Sequence, residues 1–514
     1  MREELVLAID IGTTNCKTML IDPTCKVVAK ESTEYPLSSP KMGWAEQDPN
    51  MWWEAVRRSV AALISGREKE SIVAVGLSGQ MHGLVALDKG GEVIRPAILW
   101  NDQRAEPECR EIYDLAGGRE RLLDYTNNAM LPGYTGGKLL WMRRNEHDLY
   151  KRIDKILLPK DYIRYRLTGV LATDVSDASG TGLFDVRKRT WSRELLGILQ
   201  LPAEWIVPSY ESTEVLGTIS GIAARDLGLS TATRVVAGGG DAVMQTIGSG
   251  AIDDTEVLAV IGTGGNITIS NRTCPANTHA SAQVFCHVLP DRWVSMGVTL
   301  NAGNCLRWFR DVLGDAESAI AAREATSAYE ILGREAEVSG PGAGGLIFLP
   351  YLQGERSPHT DSDARGCLVG MNLRSGKADV IRAVMEGVAL SMYDVLNSIW
   401  TEGRRFRKVV LSGGGAKSKL WRQIMADVFR TEVVTRENGE DASAIGAGVI
   451  AGIAAGLWKN TSDATAGLRE CSSNCPDEKV AELYGGIYDV YRGLYPSLSP
   501  SFKEMRRLAH SQAP

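Results

Sequence analysis

Two stretches of the chain, 250 residues apart, share one uncommon pattern. Residues 5–17 read LVLAIDIGTTNCK and residues 257–267 read VLAVIGTGGNI, so each is a β-branched apolar run that breaks at Gly-Thr. This pattern predicts a β-hairpin whose tight turn exposes backbone amides and hydroxyls. Because nothing larger than a hydroxyl shields those amides, each turn is suited to wrap an anion. The repeat therefore predicts two related halves that close on one phosphate chain.

The length of 514 residues is too great for a single hydrophobic core and suits two domains. Strands, glycine-rich loops and helices alternate in both halves, which indicates an α/β fold. We place the boundary near Gly248–Gly250, where small residues could act as a hinge, so the predicted domains are residues 1–248 and 249–514.

Composition excludes several classes of protein. Hydrophobic residues make up 44% and charged residues 23% of the chain, as in ordinary globular proteins. The net charge of −6 gives no indication of nucleic-acid or membrane binding. Neither a signal-peptide pattern nor a stretch approaching 18 apolar residues is present. We therefore expect a cytoplasmic protein with reduced cysteines.

Several elements are predicted from the apolar pattern and its breaks. The N-terminal region should form a three-stranded meander over residues 5–31, and a helix should run from Pro49 to about Ile64. A buried strand is predicted over Ile72–Ser78, followed by the polar loop 79–83. In the second half we predict a long helix over about 377–400, a strand over 408–412 and a helix from Lys419.

Two aspartates are candidates for phosphoryl-transfer chemistry. Asp10 lies at the end of a predicted strand beside the first anion loop, where a carboxylate is costly unless a cation such as Mg²⁺ separates it from phosphate. Asp241 follows Gly238–Gly240, which would let substrate approach the backbone and a carboxylate project as a general base. The alternatives are an Asx-turn residue at position 10 and a solvated turn at position 241.

A third glycine loop, Gly413–Gly415, follows the strand over 408–412, and Ser418 is positioned to cap the next helix. It is not a Walker loop, because Leu411 and Ala416 stand where that motif requires glycine. Such a loop could admit a flat adenine against the backbone. It could equally be an ordinary strand-to-helix turn.

Polar side chains that suit a sugar cluster in the first half. His82 lies in the loop flanked by Gly79 and Gly83, where it could hydrogen-bond a polar substrate rather than serve only as a structural histidine. The stretch Trp100–Arg104 offers donors, acceptors and an aromatic face, although a plain polar loop would look the same.

These segments together resemble the FGGY family of carbohydrate kinases over essentially the whole chain. The first pattern of the family is matched by Gly133–Asn145, and the second by Gly366–Met371 with Asp379–Val380 and Ala383–Glu386. Other stretches are similar to those of family members that phosphorylate D-xylulose, namely Trp44–Pro49, Gly79–Gly83, Arg95–Asp102 and Leu158–Tyr162.

The resemblance implies two ribonuclease-H-like domains of the actin and hexokinase type, with ATP and sugar in the cleft between them. It implies that Asp241 is the catalytic base and that Asp10 is the catalytic, magnesium-associated carboxylate. The implied sugar-binding residues are Met81, His82, Asp102 and Asp241. The implied ATP-binding residues are Gly12, Thr13, Thr14, Lys17, Gly262, Thr263, Gly264, Gly413, Gly414, Gly415, Ala416 and Ser418.

One position departs from the pattern of the D-xylulose kinases. Those members usually carry Asn directly after the catalytic Asp, whereas this chain has Ala242. The expectation is an ATP- and Mg²⁺-dependent kinase with D-xylulose as the leading acceptor, and another ketose or a polyol as the alternative. A homodimer is one option for its assembly. A non-catalytic sugar- or nucleotide-binding regulator is the rival class, which the retained aspartates and glycine loops argue against.

Overall fold

The computed structural model describes residues 4–278, 280–400 and 405–511 and divides into two compact α/β units. Unit 1 contains the described residues up to Ile252 together with Ser270–Ser295 and Asp441–Arg469. Unit 2 contains Asp253–Ile269, Met296–Glu440 and the described residues from Glu470 onward. Both units are therefore assembled from separate stretches of the chain. No helix in the described residues is long and apolar enough to cross a membrane.

The first 252 residues supply most of unit 1. Their strands are β1 (Leu5–Ile11), β2 (Asn15–Ile21), β3 (Val27–Glu34), β4 (Glu46–Gln47), β5 (Ile72–Gly79), β6 (Val85–Leu87), β7 (Ala97–Ile98), β8 (Lys155–Leu157), β9 (Thr173–Asp174), β10 (Phe184–Asp185), β11 (Thr190–Trp191), β12 (Ser209–Tyr210), β13 (Val215–Thr218), β14 (Arg234–Val236) and β15 (Gly239–Gly240). Their α-helices are α1 (Pro49–Ile64), α2 (Glu106–Leu115), α3 (Arg119–Thr126), α4 (Thr135–Asn145), α5 (His147–Tyr150), α6 (Pro159–Thr168), α7 (Val175–Ser179), α8 (Arg193–Ile198), α9 (Gly221–Leu227) and α10 (Asp241–Gly248).

The rest of the chain supplies unit 2 and completes unit 1. Its strands are β16 (Glu256–Ile261), β17 (Gly265–Asn271), β18 (Gln283–Cys286), β19 (Trp293–Thr299), β20 (Ile347–Leu349), β21 (Cys367–Val369), β22 (Lys408–Ser412), β23 (Glu432–Arg436) and β24 (Glu470–Asn474). Its α-helices are α11 (Gly303–Leu313), α12 (Asp315–Glu324), α13 (Ala328–Ser339), α14 (Lys377–Ile399), α15 (Lys419–Phe429), α16 (Ala442–Ala455), α17 (Thr461–Thr465) and α18 (Glu478–Ser511).

The two predicted hairpins form and occupy the same place in each sheet. In unit 1, β1 pairs antiparallel with β2 and parallel with β5, within the strand order β13-β14-β5-β1-β2-β3. In unit 2, β16 pairs antiparallel with β17 and parallel with β22, which pairs parallel with β23. All seven residues of β1 are buried, as expected for a central strand covered on both faces. The internal repeat inferred from the sequence is thus a repeat of topology.

Glycines allow two helices of unit 1 to approach closely. A Cβ placed on Gly248 of α10 would lie 1.8 Å from the carbonyl oxygen of Ala442, and one placed on Gly446 of α16 would lie 2.2 Å from that of Met244. A side chain at either position would force the helices apart. Packing therefore accounts for glycine at position 248, whereas a hinge over Gly248–Gly250 stays a prediction.

Candidate active site

Asp10 lies near the end of β1, where its carboxylate is buried but only half satisfied. Ser443 of α16 donates its hydroxyl to Asp10 Oδ2 at 2.8 Å. Asp10 Oδ1 is buried and has no hydrogen-bond partner among the described residues. Burial raises the pKa of Asp10, against the hydrogen bond from Ser443 and the charge of Lys17. An unpartnered carboxylate oxygen of this kind is suited to a hard cation.

The surroundings of Asp10 fit Mg²⁺ better than a cation held entirely by protein. The described residues contain no group of three or more His, Cys, Asp or Glu side chains arranged to hold a metal. Mg²⁺ keeps most of its waters and typically binds one or two carboxylates together with substrate phosphates. Asp10 is a carboxylate of the kind that such a site uses, and its role as a magnesium ligand stays a prediction.

Asp241 is the first residue of α10, directly after the glycine strand β15. The amide of Ala242 donates to Asp241 Oδ1 at 2.7 Å, which fixes the side chain at the helix start. Burial and the nearby negative charge of Asp10 raise the pKa of Asp241 to about 7, although hydrogen bonds from backbone amides oppose that shift. A carboxyl group that titrates near neutral pH is matched to accepting a proton from an alcohol at that pH.

The raised pKa predicts that Asp241 destabilises the folded protein at alkaline pH. In the unfolded chain an Asp has a pKa of about 3.9, against about 7 here. The folded state therefore binds the extra proton, and its contribution to stability is lost as the pH rises through 7. We expect Asp241→Asn to raise the melting temperature more at pH 8 than at pH 5 in metal-free buffer. Asp489→Asn, a change on the exposed face of α18, should shift both temperatures equally.

In the first hairpin turn, the carbonyl groups are occupied and the amide of Gly12 donates to the carbonyl oxygen of Asn15, but two other amides are available. Tyr35 donates its hydroxyl to the carbonyl oxygens of Gly12 and Asn15, and the Gln47 amide donates to that of Thr13. The amides of Thr13 and Thr14 donate to no group among the described residues. The turn therefore presents donors without competing acceptors, as an anion site requires. Lys17, predicted to bind ATP, has its ammonium 2.9 Å from Asp441 Oδ1.

The loop after β5 holds His82 in a constrained pose. The φ angle of His82 is +70°, and its ring stacks on Tyr134 at 4.6 Å. His82 Nδ1 lies 2.6 Å from the carbonyl oxygen of Gly180. Because a carbonyl only accepts, Nδ1 carries the proton in this contact. Met81 is buried beside it, so close to Gly240 that a Cβ there would lie 2.6 Å from Met81 Cγ.

The FGGY-like helix α4 supports this loop, a role that the sequence did not reveal. Lys138 is fully buried and donates to the carbonyl oxygens of His82 at 2.8 Å and Ile98 at 3.1 Å. Thr135 donates its hydroxyl to the same His82 carbonyl. Burial lowers the pKa of Lys138 to about 7, partly offset by Asp102. The signal that could have found it is a lysine placed between two glycines and an apolar run, in the stretch GGKLLW.

Asp102 is enclosed in a buried ion-pair network. Its carboxylate accepts from Arg104 Nε and Nη2 and from the amide of Ala45, at 2.6–3.0 Å. Arg104 in turn stacks on Trp44 and pairs with Glu46. The side chain of Asp102 is only 1% exposed, so its clearest role is to orient Arg104. Direct sugar binding by Asp102 stays a prediction.

Unit 2 contains a cavity of about 700 Å³ that unites two of the three predicted glycine loops. Gly262 and Thr263 of the second hairpin turn, and Gly414, Gly415 and Ser418 of the third loop, line it. A Cβ on Gly415 would lie 2.4 Å from Ile261 Cγ2, so glycine is needed where the loops meet. Gly264, Gly413 and Ala416 belong to the same loops but do not line the cavity.

The second hairpin turn repeats the electrostatic pattern of the first. The amides at the start of α11 donate to its carbonyl oxygens, Gly303 to that of Gly262 and both Ala302 and Asn304 to that of Thr263. The carbonyl groups are thereby occupied, and the turn's remaining amides suit an anion. The far wall is formed by α11 and α13, which sequence reasoning missed because no glycine-rich loop or strand end marks it. Its residues are Leu306, Arg307, Ser327, Tyr329, Glu330, Gly333, Arg334 and Glu337.

Models of one known protein family match most of the chain. Residues 5–248 match the N-terminal domain, and residues 257–455 the C-terminal domain, of the FGGY family of carbohydrate kinases. Together these matches cover most of the sequence in the family's domain order. The chain belongs to the FGGY family of carbohydrate kinases. The predicted family and its two-domain α/β fold are thus confirmed.

Individual proteins of known activity are similar to this chain over nearly its whole length. The xylulose kinase of Bacillus subtilis is 36% identical over 98% of this chain and 99% of its own length. The ligand-bound xylulose kinase from Lactobacillus acidophilus has a TM-score of 0.91 at 28% identity, covering 98% of this chain and 100% of its own. Gluconate kinase from the same organism has a TM-score of 0.91 at 29% identity and the same coverage.

Proposed function

We propose that this protein transfers the γ-phosphoryl group of ATP to a hydroxyl of D-xylulose, forming D-xylulose 5-phosphate, with Asp241 as general base. The observation that carries the proposal is a pair of carboxyls in unit 1: the buried Asp10, whose Oδ1 has no partner among the described residues, and the half-buried Asp241, with a pKa of about 7. The similarity to xylulose kinases over nearly the whole chain supports the choice of acceptor.

In the proposed reaction, the oxygen of the sugar hydroxyl bonds to the γ-phosphorus, and Asp241 accepts the proton of that hydroxyl. The bond from that phosphorus to the bridging oxygen breaks, and ADP leaves with the electron pair. Mg²⁺, held by Asp10, would neutralise the charge of the phosphates. The amides of Thr13 and Thr14, and of the Gly262–Gly264 turn, would donate to phosphate oxygens. His82 would contact a hydroxyl of the sugar.

The cavity in unit 2 is proposed to hold the adenosine part of ATP. Its floor includes Gly414 and Gly415, whose lack of side chains admits a flat base. Met385 and Trp421 add apolar surface, and Thr263 marks the end at which phosphates would lie. A cavity of about 700 Å³ falls within the range of small-molecule sites.

Nucleotide binding should depend on glycine at position 415. An added Cβ would meet Cγ2 and Cβ of Ile261 at 2.4 and 2.7 Å, so Gly415→Ala must displace the loop. We expect the affinity for a non-hydrolysable ATP analogue, measured by calorimetry, to fall about tenfold, the scale of one misplaced contact. Gly493→Ala serves as the control, since no atom lies within 4 Å of its added Cβ. Equal affinities of both variants would remove this loop from the nucleotide site.

The acceptor is tested by measuring ATP consumption across D-xylulose, other pentuloses, hexuloses, polyols and D-gluconate. Gluconate is included because a gluconate kinase resembles this chain as closely in fold as a xylulose kinase does. D-xylulose should give the highest kcat/KM. A preference for another acceptor would leave the kinase assignment intact and replace the proposed substrate.

Ala242 should weaken the binding of D-xylulose. Its methyl group offers no hydrogen bond, and a lost neutral hydrogen bond costs about 0.5–1.5 kcal/mol. We therefore expect Ala242→Asn to lower the KM for D-xylulose by about 2- to 10-fold, with kcat little changed. If Ala242 instead makes room for a different sugar, the Asn variant will reject the acceptor that the parent prefers. The same sugar panel, run on both proteins, distinguishes these results.

Three further expectations are part of the proposal. The phosphoryl donor is ATP with Mg²⁺, the enzyme acts in the cytoplasm, and a homodimer is one option for its assembly. Only the first bears on catalysis, and the proposed reaction should lose its activity when Mg²⁺ is chelated.

A further inference from the structure

Behind the predicted sugar loop, unit 1 buries a cluster of charges that the proposed reaction does not use. Lys160 Nζ lies 2.6 Å from Asp161 Oδ1, 2.8 Å from Asp174 Oδ1 and 3.4 Å from Asp177 Oδ2. Arg164 adds a contact of 3.0 Å to Asp161. All five side chains are 0% exposed. Burying so many charges costs desolvation energy that mutual attraction rarely exceeds, so stability alone does not explain the cluster.

The cluster is connected by hydrogen bonds to one segment of backbone, residues 237–240, once directly and twice through a serine. Arg164 Nη1 donates to the carbonyl oxygen of Ala237 at 2.9 Å. The amide of Gly238 donates to the carbonyl oxygen of Ser212, whose hydroxyl donates to Asp174 Oδ2 at 2.7 Å. The amide of Gly240 donates to Ser176 Oγ at 3.1 Å, and that hydroxyl donates to the same Asp174 oxygen at 2.5 Å.

The segment 237–240 directly precedes Asp241, and it has no room to move toward its neighbours. A Cβ on Gly238 would lie 2.5 Å from the carbonyl oxygen of Leu77, and one on Gly239 would lie 2.5 Å from Val288 Cγ1. The three glycines are therefore needed for a close fit as well as for access. The backbone entering α10 is fixed on its packed sides by glycine contacts and along its length by the cluster.

We propose that the cluster around Lys160 is a positioning device for Asp241, acting through Asp174 and Ser176 on the amide of Gly240. The inference rests on the proposed role of Asp241 as base. A base must lie within hydrogen-bond reach of the proton that it accepts, and a small displacement lowers the rate steeply. Lys160 fixes Asp174, Asp174 orients the Ser176 hydroxyl, and that hydroxyl holds the residue before Asp241.

Ser176→Ala tests this device, with Ser179→Ala as a matched control. Both serines lie on α7, both are buried, and each hydroxyl accepts one backbone amide, that of Gly240 for Ser176 and that of Cys286 for Ser179. We expect Ser176→Ala to lower kcat about 10-fold with an unchanged KM for ATP. Ser179→Ala should lose a similar amount of thermal stability and keep kcat within about twofold.

A double-mutant cycle separates positioning from a general structural effect. If Ser176 acts through Asp241, adding Ser176→Ala to Asp241→Asn should lower the residual kcat by less than about twofold. The inference would be overturned if the losses in kcat of the two single variants multiply in the double variant, or if Ser176→Ala alone leaves kcat unchanged. A fully active Asp241→Asn would instead overturn the proposed function itself. If Ser176→Ala does not fold, Ser176→Cys keeps the volume, substitutes a weak acceptor and should give the same pattern.

Discussion

We expect Asp241→Asn to fold, to bind ATP and to lose a factor of about 10²–10⁴ in kcat. A sugar hydroxyl is a poor nucleophile near neutral pH unless a positioned group removes its proton. Asn has the size of Asp but cannot accept that proton. The variant should keep its affinity for an ATP analogue in calorimetry, because the cavity in unit 2 contains no residue of α10. Turnover within a few-fold of the parent would remove Asp241 from the role of base.

Asp10→Asn is the informative comparison, because Asp10 is the neighbouring buried carboxyl with a different proposed role. Replacing a ligand of Mg²⁺ should change how the activity depends on Mg²⁺ concentration, whereas replacing the base should not. We expect the Mg²⁺ concentration for half-maximal activity to rise in Asp10→Asn and to stay unchanged in Asp241→Asn. If both variants respond to Mg²⁺ in the same way, the two carboxyls share one role.

The sequence predicted much of the local architecture because the signals for it are local. The strand over Lys408–Ser412 and the helix beginning at Lys419 have the predicted positions, and Ser418 caps that helix by accepting the amide of Trp421. The long helix predicted over 377–400 forms as Lys377–Ile399. Apolar periodicity and glycine breaks fix such elements without knowledge of the rest of the chain.

The partners of the site residues could not be predicted in the same way. Ser443 donates to Asp10 from 433 residues away, and no pattern near either residue indicates the contact. The hydrogen bond from the amide of Gly240 to Ser176 Oγ likewise joins two residues that lie 64 positions apart in the chain. Such contacts depend on how the sheets and helices pack. Glycine loops and isolated carboxyls are visible in a sequence, but the groups that orient them are not.

Gly248 has a packing role in addition to the hinge role that the sequence predicts, and this packing leads to a large expected effect. The added Cβ of Gly248→Ala would lie 1.8 Å from the backbone oxygen of Ala442, an atom that cannot move aside without shifting α16. We expect a loss of about 3 kcal/mol in the free energy of unfolding, measured by denaturant titration, as for severe overpacking. Gly486→Ala on α18 has no atom within 4 Å of its added Cβ, so it should be neutral or stabilising.

The same substitution should also lower activity, because the two helices that meet at Gly248 carry the groups of the site. Asp241 begins α10, and Ser443 on α16 holds Asp10. Forcing these helices apart would displace both carboxyls, so kcat should fall even under conditions where the variant remains folded. A hinge at Gly248 predicts a different result, in which the melting temperature is kept and only turnover changes. Loss of stability and turnover together, with Gly486→Ala unaffected in both, would show that close packing is what requires glycine at position 248.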